Sequence, residues 1–223
     1  MSSSSSSGPH PIQAPLRGDW RFLCPPGHHP HAFDFVRVDP RTRRTHSHGR
    51  LRKLIAVPAS SHYCWQAEVH APVDGLVFQC SDGWPDHART SVWASAAIWY
   101  NATFRFRPGL DEGFPDIRPN AGNYVFIQTD AGYLVFLAHL ARGSLSVRQG
   151  QTIRAGEVVG RVGNSGNSTE PHLHINLFDQ MDDPLRAQVL PLVFAAYESQ
   201  DATGRWQPAA NAVPAVGSMV RFD

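Results

Sequence analysis

The sequence predicts a mainly β protein, an antiparallel sheet folded as a sandwich or barrel, with a short helical insertion. Three observations predict it. Short runs of valine, isoleucine and aromatic residues recur along the chain between glycine-centred turns. In GNSGNSTEPHLHINLF, Gly163 to Phe178, His172 and His174 alternate with Leu173, Ile175 and Leu177, the period of a strand. One stretch with helix-like content, Thr90 to Thr103, sits in a proline- and charge-rich region, about 81–119, that interrupts the strand pattern.

Taken in order, residues 1–14 are a serine-rich start expected to be a disordered tail, and 15–223 read as a single β domain. The start has neither a basic segment nor an apolar one, so it does not read as a signal peptide. No apolar run approaches a membrane-spanning length. Ala32 to Val38 (AFDFVRV) reads as a strand. Arg41 to Arg50 reads as a polar loop, and its His46-Ser47-His48 lacks alternating apolar partners, so it is taken as loop rather than ligand. Short strands follow around Glu68 to Phe78. Tyr124 to Gln128 and Tyr133 to Leu140 read as a pair of strands joined by a hairpin turn at Asp130-Ala131-Gly132. Val147 to Gly166 repeats glycine every few residues between branched side chains, and Trp206 to Asp223 offers two closing strands. In the insertion, Trp84, Trp93 and Trp99 are expected to pack its core rather than line a groove.

Composition narrows the function. Of 223 residues, 42% are hydrophobic and 17% charged, with a net charge of +1, so the chain has a globular composition and lacks the basic footprint of a nucleic-acid binder. Cys24, Cys64 and Cys80 fit neither a zinc motif nor a disulfide framework, leaving one disulfide plus a thiol, or three thiols. Twelve histidines raise the prior for metal chemistry. Two imidazoles side by side on one face of a rigid strand suit one metal ligand and one catalytic partner. The glycines and asparagines at Gly163, Asn164, Gly166 and Asn167 are expected to shape the preceding turn through positive φ.

Three segments carry a resemblance: VHAPVDGLV (Val69 to Val77), GNYVFIQTDAGYLVFLAHL (Gly122 to Leu140) and VRQGQTIRAGEVVGRVGNSGNSTEPHLHINL (Val147 to Leu177). In order and spacing they resemble the lysostaphin/LytM-type zinc metalloendopeptidases, hydrolases of peptidoglycan cross-links built on a duplicated hybrid motif. The resemblance implies Zn2+ as cofactor, His174 as a zinc ligand, and His172 and His139 as catalytic residues. It further implies an upstream ligand pair, a histidine four residues before an aspartate. Asp34 fits the aspartate, but Pro30 stands where the histidine belongs, so His28, His29 and His31 compete. A fully extended chain would separate even His31 from Asp34 by roughly 10 Å. A turn must therefore precede Asp34, and Gly27 and Pro30 provide for one. His29 is the favoured ligand, as one added loop residue is easily absorbed.

The expected partner is a peptidoglycan peptide, with no nucleic acid, no membrane span and an unread oligomeric state. The resemblance implies a periplasmic or extracellular setting. A competing expectation is a non-catalytic relative acting as a cell-wall binding or hydrolase-activating module. VHAPVDGLV and VRQGQTIRAGEVVG also echo biotinyl and lipoyl carrier domains, but those present a lysine at a hairpin tip, and Lys53, the only lysine, lies outside both segments.

Overall fold

The computed structural model describes residues 8–49, 52–100, 110–111, 114–179 and 187–223. Side chains of Lys53, Trp99 and residues 110–111 and 114–115 lie outside that description. Among the described residues, one sheet of 11 strands dominates. Its path runs Thr152–Ile153, Gly75–Ser81, Asn123–Gln128, Leu134–Leu140, Leu173–Phe178, Phe33–Val36, Gly18–Leu23, Met219–Phe222, Tyr197–Gln200 and Trp206–Ala209, with Val189–Leu190 on the far end of Leu173–Phe178. Every pairing in it is antiparallel. The Asp130-Ala131-Gly132 turn forms as expected: Gly132 adopts φ 91° and its N–H donates to the Thr129 carbonyl at 2.9 Å.

Period-two alternation decides what each face carries. Val125, Ile127, Val135, Leu137, Leu173, Ile175 and Leu177 join Phe22, Phe33 and Phe35 in the main core. Tyr124, Phe126, Leu134, Phe136 and Ala138 point the other way into a smaller aromatic cluster, where Phe126 and Phe136 stack at 4.5 Å between ring centroids. A two-stranded ribbon, Glu68–His70 with Val158–Arg161, adds Val69 and Val159 to the main core and so makes a second layer on that face. This ribbon joins two of the segments that carry the resemblance.

Two expectations need correction. Residues 10–14 are ordered rather than tail. His10–Ile12 form a strand parallel to Leu192–Phe194, and Ile12 and Ala14 are buried in the core. Apolar burial against a distant strand outweighs the tail-like composition, while residues 1–7 lie outside the described residues. In the insertion, Val92–Tyr100 is helical and Ser91 Oγ caps it by accepting the Ala94 N–H at 3.1 Å. Trp93 does not pack a core there, since it is 74% exposed, and Trp84 is half-buried. No described helix is long and apolar enough to cross a membrane. All three cysteines are free thiols. Cys64 is buried, and burial pushes its thiol up to about 12, which removes it as a nucleophile.

Candidate metal centre

The site forms where the Asp34 strand meets the H-x-H strand. Asp34 and His174 are direct cross-strand partners. Their side chains leave the face opposite Phe33, Phe35, Leu173 and Ile175, and His174 Nδ1 lies 2.9 Å from Asp34 Oδ1. The polar residues of one face thus meet because the apolar residues of the other face are committed to the core.

The third member is His28. Its Nε2 lies 3.6 Å from Asp34 Oδ2, and its ring is 5.3 Å from that of His174. Potential ligand atoms of His28, Asp34 and His174 all lie within 4.8 Å of one another. The sequence favoured His29, and the structure places His28 there instead. Two successive turns explain the difference. The His28 N–H donates to the Pro25 carbonyl at 3.1 Å, with Gly27 at φ 92°, and the Ala32 N–H donates to the His29 carbonyl at 2.9 Å. The second turn directs His29 outward, and its Nδ1 accepts the His31 N–H at 3.2 Å. His29 is exposed, and the His29 and His31 rings stand 5.5 Å apart.

His139 reaches the site through a break in alternation. Leu137 and Leu140 both belong to the main core, so strict alternation would send His139 there with Leu137. Instead His139 takes a left-handed φ of 62°, and the pairing with the Asn123 strand shifts register at the same place. This bulge turns the imidazole towards His172, 4.6 Å away between ring centroids. His139 Nδ1 lies 2.9 Å from the Ser165 carbonyl. The carbonyl only accepts, so Nδ1 carries the proton and Nε2 keeps its lone pair. His172 shows the same arrangement, with Nδ1 donating to the Glu170 carbonyl at 2.7 Å. Its Nε2 is buried, has no hydrogen-bond partner and faces Asp34 Oδ2 at 3.6 Å.

The turn that holds Ser165 is tightly packed. A Cβ on Gly122 would fall 2.2 Å from Ser165 Oγ, one on Gly166 would fall 2.3 Å from the Gly122 nitrogen, and one on Gly163 would meet the Ala141 backbone at 2.4 Å. Gly166 has φ +68°, as expected of this turn. Asn164 and Asn167 are not at positive φ. Asn164 is buried, its N–H donating to Asp86 Oδ1 at 2.7 Å and its Nδ2 to the His87 carbonyl at 2.9 Å.

The electrostatics favour a cation. Burial alone would raise Asp34, but His172, His174 and His28 outweigh it and hold the carboxyl well below the usual carboxylate range. Burial lowers His139 well below the ordinary imidazole value, with His172 and His174 adding to the effect. Burial also lowers His28, against the pull of Asp34. Asn176 Oδ1 lies 3.1 Å from His174 Nε2 and, as acceptor, keeps the proton there. That leaves the His174 Nδ1 lone pair facing Asp34, a contact that calls for a proton or a metal ion beside both. Two imidazole nitrogens and a carboxylate, with an orphaned imidazole nitrogen beside them, fit a zinc ion.

Comparison with known proteins follows the same residues. Residues 114–185 match Peptidase family M23. This stretch holds His139, His172 and His174, while His28 and Asp34 lie before it. A stretch of 59 residues is 42% identical to the peptidoglycan DD-endopeptidase ShyA of Vibrio cholerae, covering 26% of this chain and 13% of that protein. Among solved structures, the catalytic domain of lysostaphin from Staphylococcus simulans is similar at 16% identity and a TM-score of 0.40, over 83% of this chain and 86% of that one. A zinc-containing peptidase from Vibrio cholerae is similar at 19% identity and a TM-score of 0.38, over 75% of this chain and 37% of that one. The stretch that carries the H-x-H strand and the His139 strand is therefore the part of the chain that matches Peptidase family M23.

Proposed function

We propose that the chain is a zinc-dependent endopeptidase that hydrolyses peptide bonds in peptidoglycan cross-links. The convergence of His28, Asp34 and His174 carries this reading. These three would hold the zinc, whose chemistry there is that of an open catalytic position, acidifying a water and polarising a carbonyl. The substrate class is suggested by the matched Vibrio cholerae relative, described as a peptidoglycan DD-endopeptidase.

The histidine pair performs the proton work. Each ring is held by a carbonyl at Nδ1, so each offers a bare Nε2. His139 is buried and stays neutral at neutral pH, ready as a base. As water adds to the peptide carbonyl carbon, one imidazole takes its proton. The resulting imidazolium returns that proton to the amine nitrogen as the C–N bond breaks. The other ring, if protonated, donates to the carbonyl oxygen as charge builds there. Asn176 Oδ1, accepting the Nε2 proton, keeps the His174 ring oriented with Nδ1 towards the centre.

The experiment is incubation of the zinc-loaded chain with cross-linked peptidoglycan fragments, products being identified by mass spectrometry. Cleavage that disappears in Asp34→Ala supports the reading, and a chain with one zinc bound and no cleavage of any cross-link overturns it. The binding-module reading drew its support from the displaced ligand spacing. His28 lies six residues before Asp34, so the spacing stays displaced, but its ring nitrogen still reaches the cluster with Asp34 and His174, which supports the enzyme reading.

A further inference from the structure

The segment that delivers His172 is clamped by residues from distant parts of the chain. Three successive carbonyls are each taken. Ser95 Oγ, in the insertion helix, donates to the Thr169 carbonyl at 3.2 Å. His172 Nδ1 and Ser168 Oγ both donate to the Glu170 carbonyl, at 2.7 and 2.8 Å. Cys64 Sγ donates to the Pro171 carbonyl at 2.9 Å. The Glu170 side chain runs the other way, into the loop read as polar from the sequence. Thr45 Oγ1 donates to its Oε2 at 3.1 Å, and His62 Nε2 stands 3.7 Å from the same oxygen. The His62 side chain is fully buried, is bridged through its backbone to His46, and has Nδ1 3.3 Å from the Ala59 carbonyl.

We infer that Glu170 is a positioning residue for His172, and that the Thr45–His62 face exists to hold it. The inference rests on the function proposed above. A carboxylate that is only 20% exposed needs partners, and these partners belong to a different part of the chain. Anchoring the side chain fixes the residue's own carbonyl. That carbonyl sets the His172 ring: Nδ1 donates, and Nε2 stays bare towards the centre. With the anchor gone, the carbonyl moves and the ring can turn or exchange tautomers, which takes His172 out of the proton work without touching a metal ligand.

The test uses the full chain loaded with zinc. Ring-nitrogen 15N spectra read the His172 tautomer, while zinc content, kcat and KM on a cross-linked peptidoglycan peptide are measured in parallel. In Glu170→Ala, zinc content and KM hold, kcat falls about tenfold, and His172 changes from Nδ1-protonated to a mixture of tautomers. Glu170→Gln, which still accepts from Thr45, recovers part of the loss. Thr45→Val removes one hydroxyl and shifts both readouts in the same direction by less, which keeps the test open should Glu170→Ala fail to fold. Unchanged kcat and an unchanged tautomer in Glu170→Ala overturn the inference. A wild type that holds zinc but cuts nothing overturns the proposed function alone, because the tautomer then still decides the role of Glu170.

Discussion

Asp34 and His174 sit directly opposite each other on neighbouring antiparallel strands, with His174 Nδ1 2.9 Å from Asp34 Oδ1. The pairing register alone brings together two residues 140 positions apart in the chain. Burial of Phe33, Phe35, Leu173 and Ile175 on the other face fixes that register, since a slip of either strand by one residue would turn its own polar side chain into the core.

Zinc stoichiometry should separate the three neighbouring histidines. His28→Ala, Asp34→Ala and His174→Ala should each lose bound zinc, whereas His29→Ala and His31→Ala should keep it. Metal analysis of the purified variants decides this, and retention by His28→Ala would remove it from the ligand set.

Replacing the histidine pair should have the opposite effect on metal and turnover. His139→Ala and His172→Ala should retain zinc and lose turnover by about 100-fold or more, the range of a missing acid–base group. Parallel zinc and rate measurements check it, and the rate loss should shrink little at higher substrate concentration.

Acid should weaken the metal-free protein. His139 and His28 titrate lower in the folded chain than in the unfolded one, where histidine titrates near about 6.5. Below that value the unfolded chain takes up protons that the folded one refuses, so stability falls as pH falls. Asp34 acts lower down: its depressed value stabilises the fold above about pH 4, and that contribution is lost only below it. Urea midpoints of the metal-free chain between about pH 7.5 and pH 5 should decline, and the slope should flatten in His139→Ala.

The glycine contacts behind Ser165 predict a stability effect with a catalytic echo. Gly166→Ala would force a Cβ to 2.3 Å from a backbone nitrogen at φ +68°. A loss of about 1–3 kcal/mol in urea unfolding is expected. Turnover in the variant that remains folded should also fall, because Ser165 holds His139.

How much of this was legible varies by residue. The alternation of His172 and His174 with apolar neighbours placed both rings on one face, and Asp34 lay in a readable strand. Both rest on the two-residue period, which local sequence carries directly. His28 was not separable from His29, because the outcome depends on two turns within eight residues, Pro25 to Ala32. The aim of His139 was legible only through family resemblance. Nothing in Leu-Ala-His-Leu announces a left-handed residue, and alternation would have sent the ring into the core. Glu170 showed no signal, since its partners Thr45 and His62 are contacts of the folded chain. His10–Ile12 was misread as tail for the same reason: its strand partner is Leu192–Phe194.

Strand Met219–Phe222 lies against Gly18–Leu23, which in turn lies against the Asp34 strand. It therefore acts as a guard rail for the half of the sheet that carries Asp34 and His174. Removing it would bare a row of amides and carbonyls on Gly18–Leu23, a template onto which a second molecule could zip. A chain cut before Met219 should self-associate in light scattering before it loses its secondary structure.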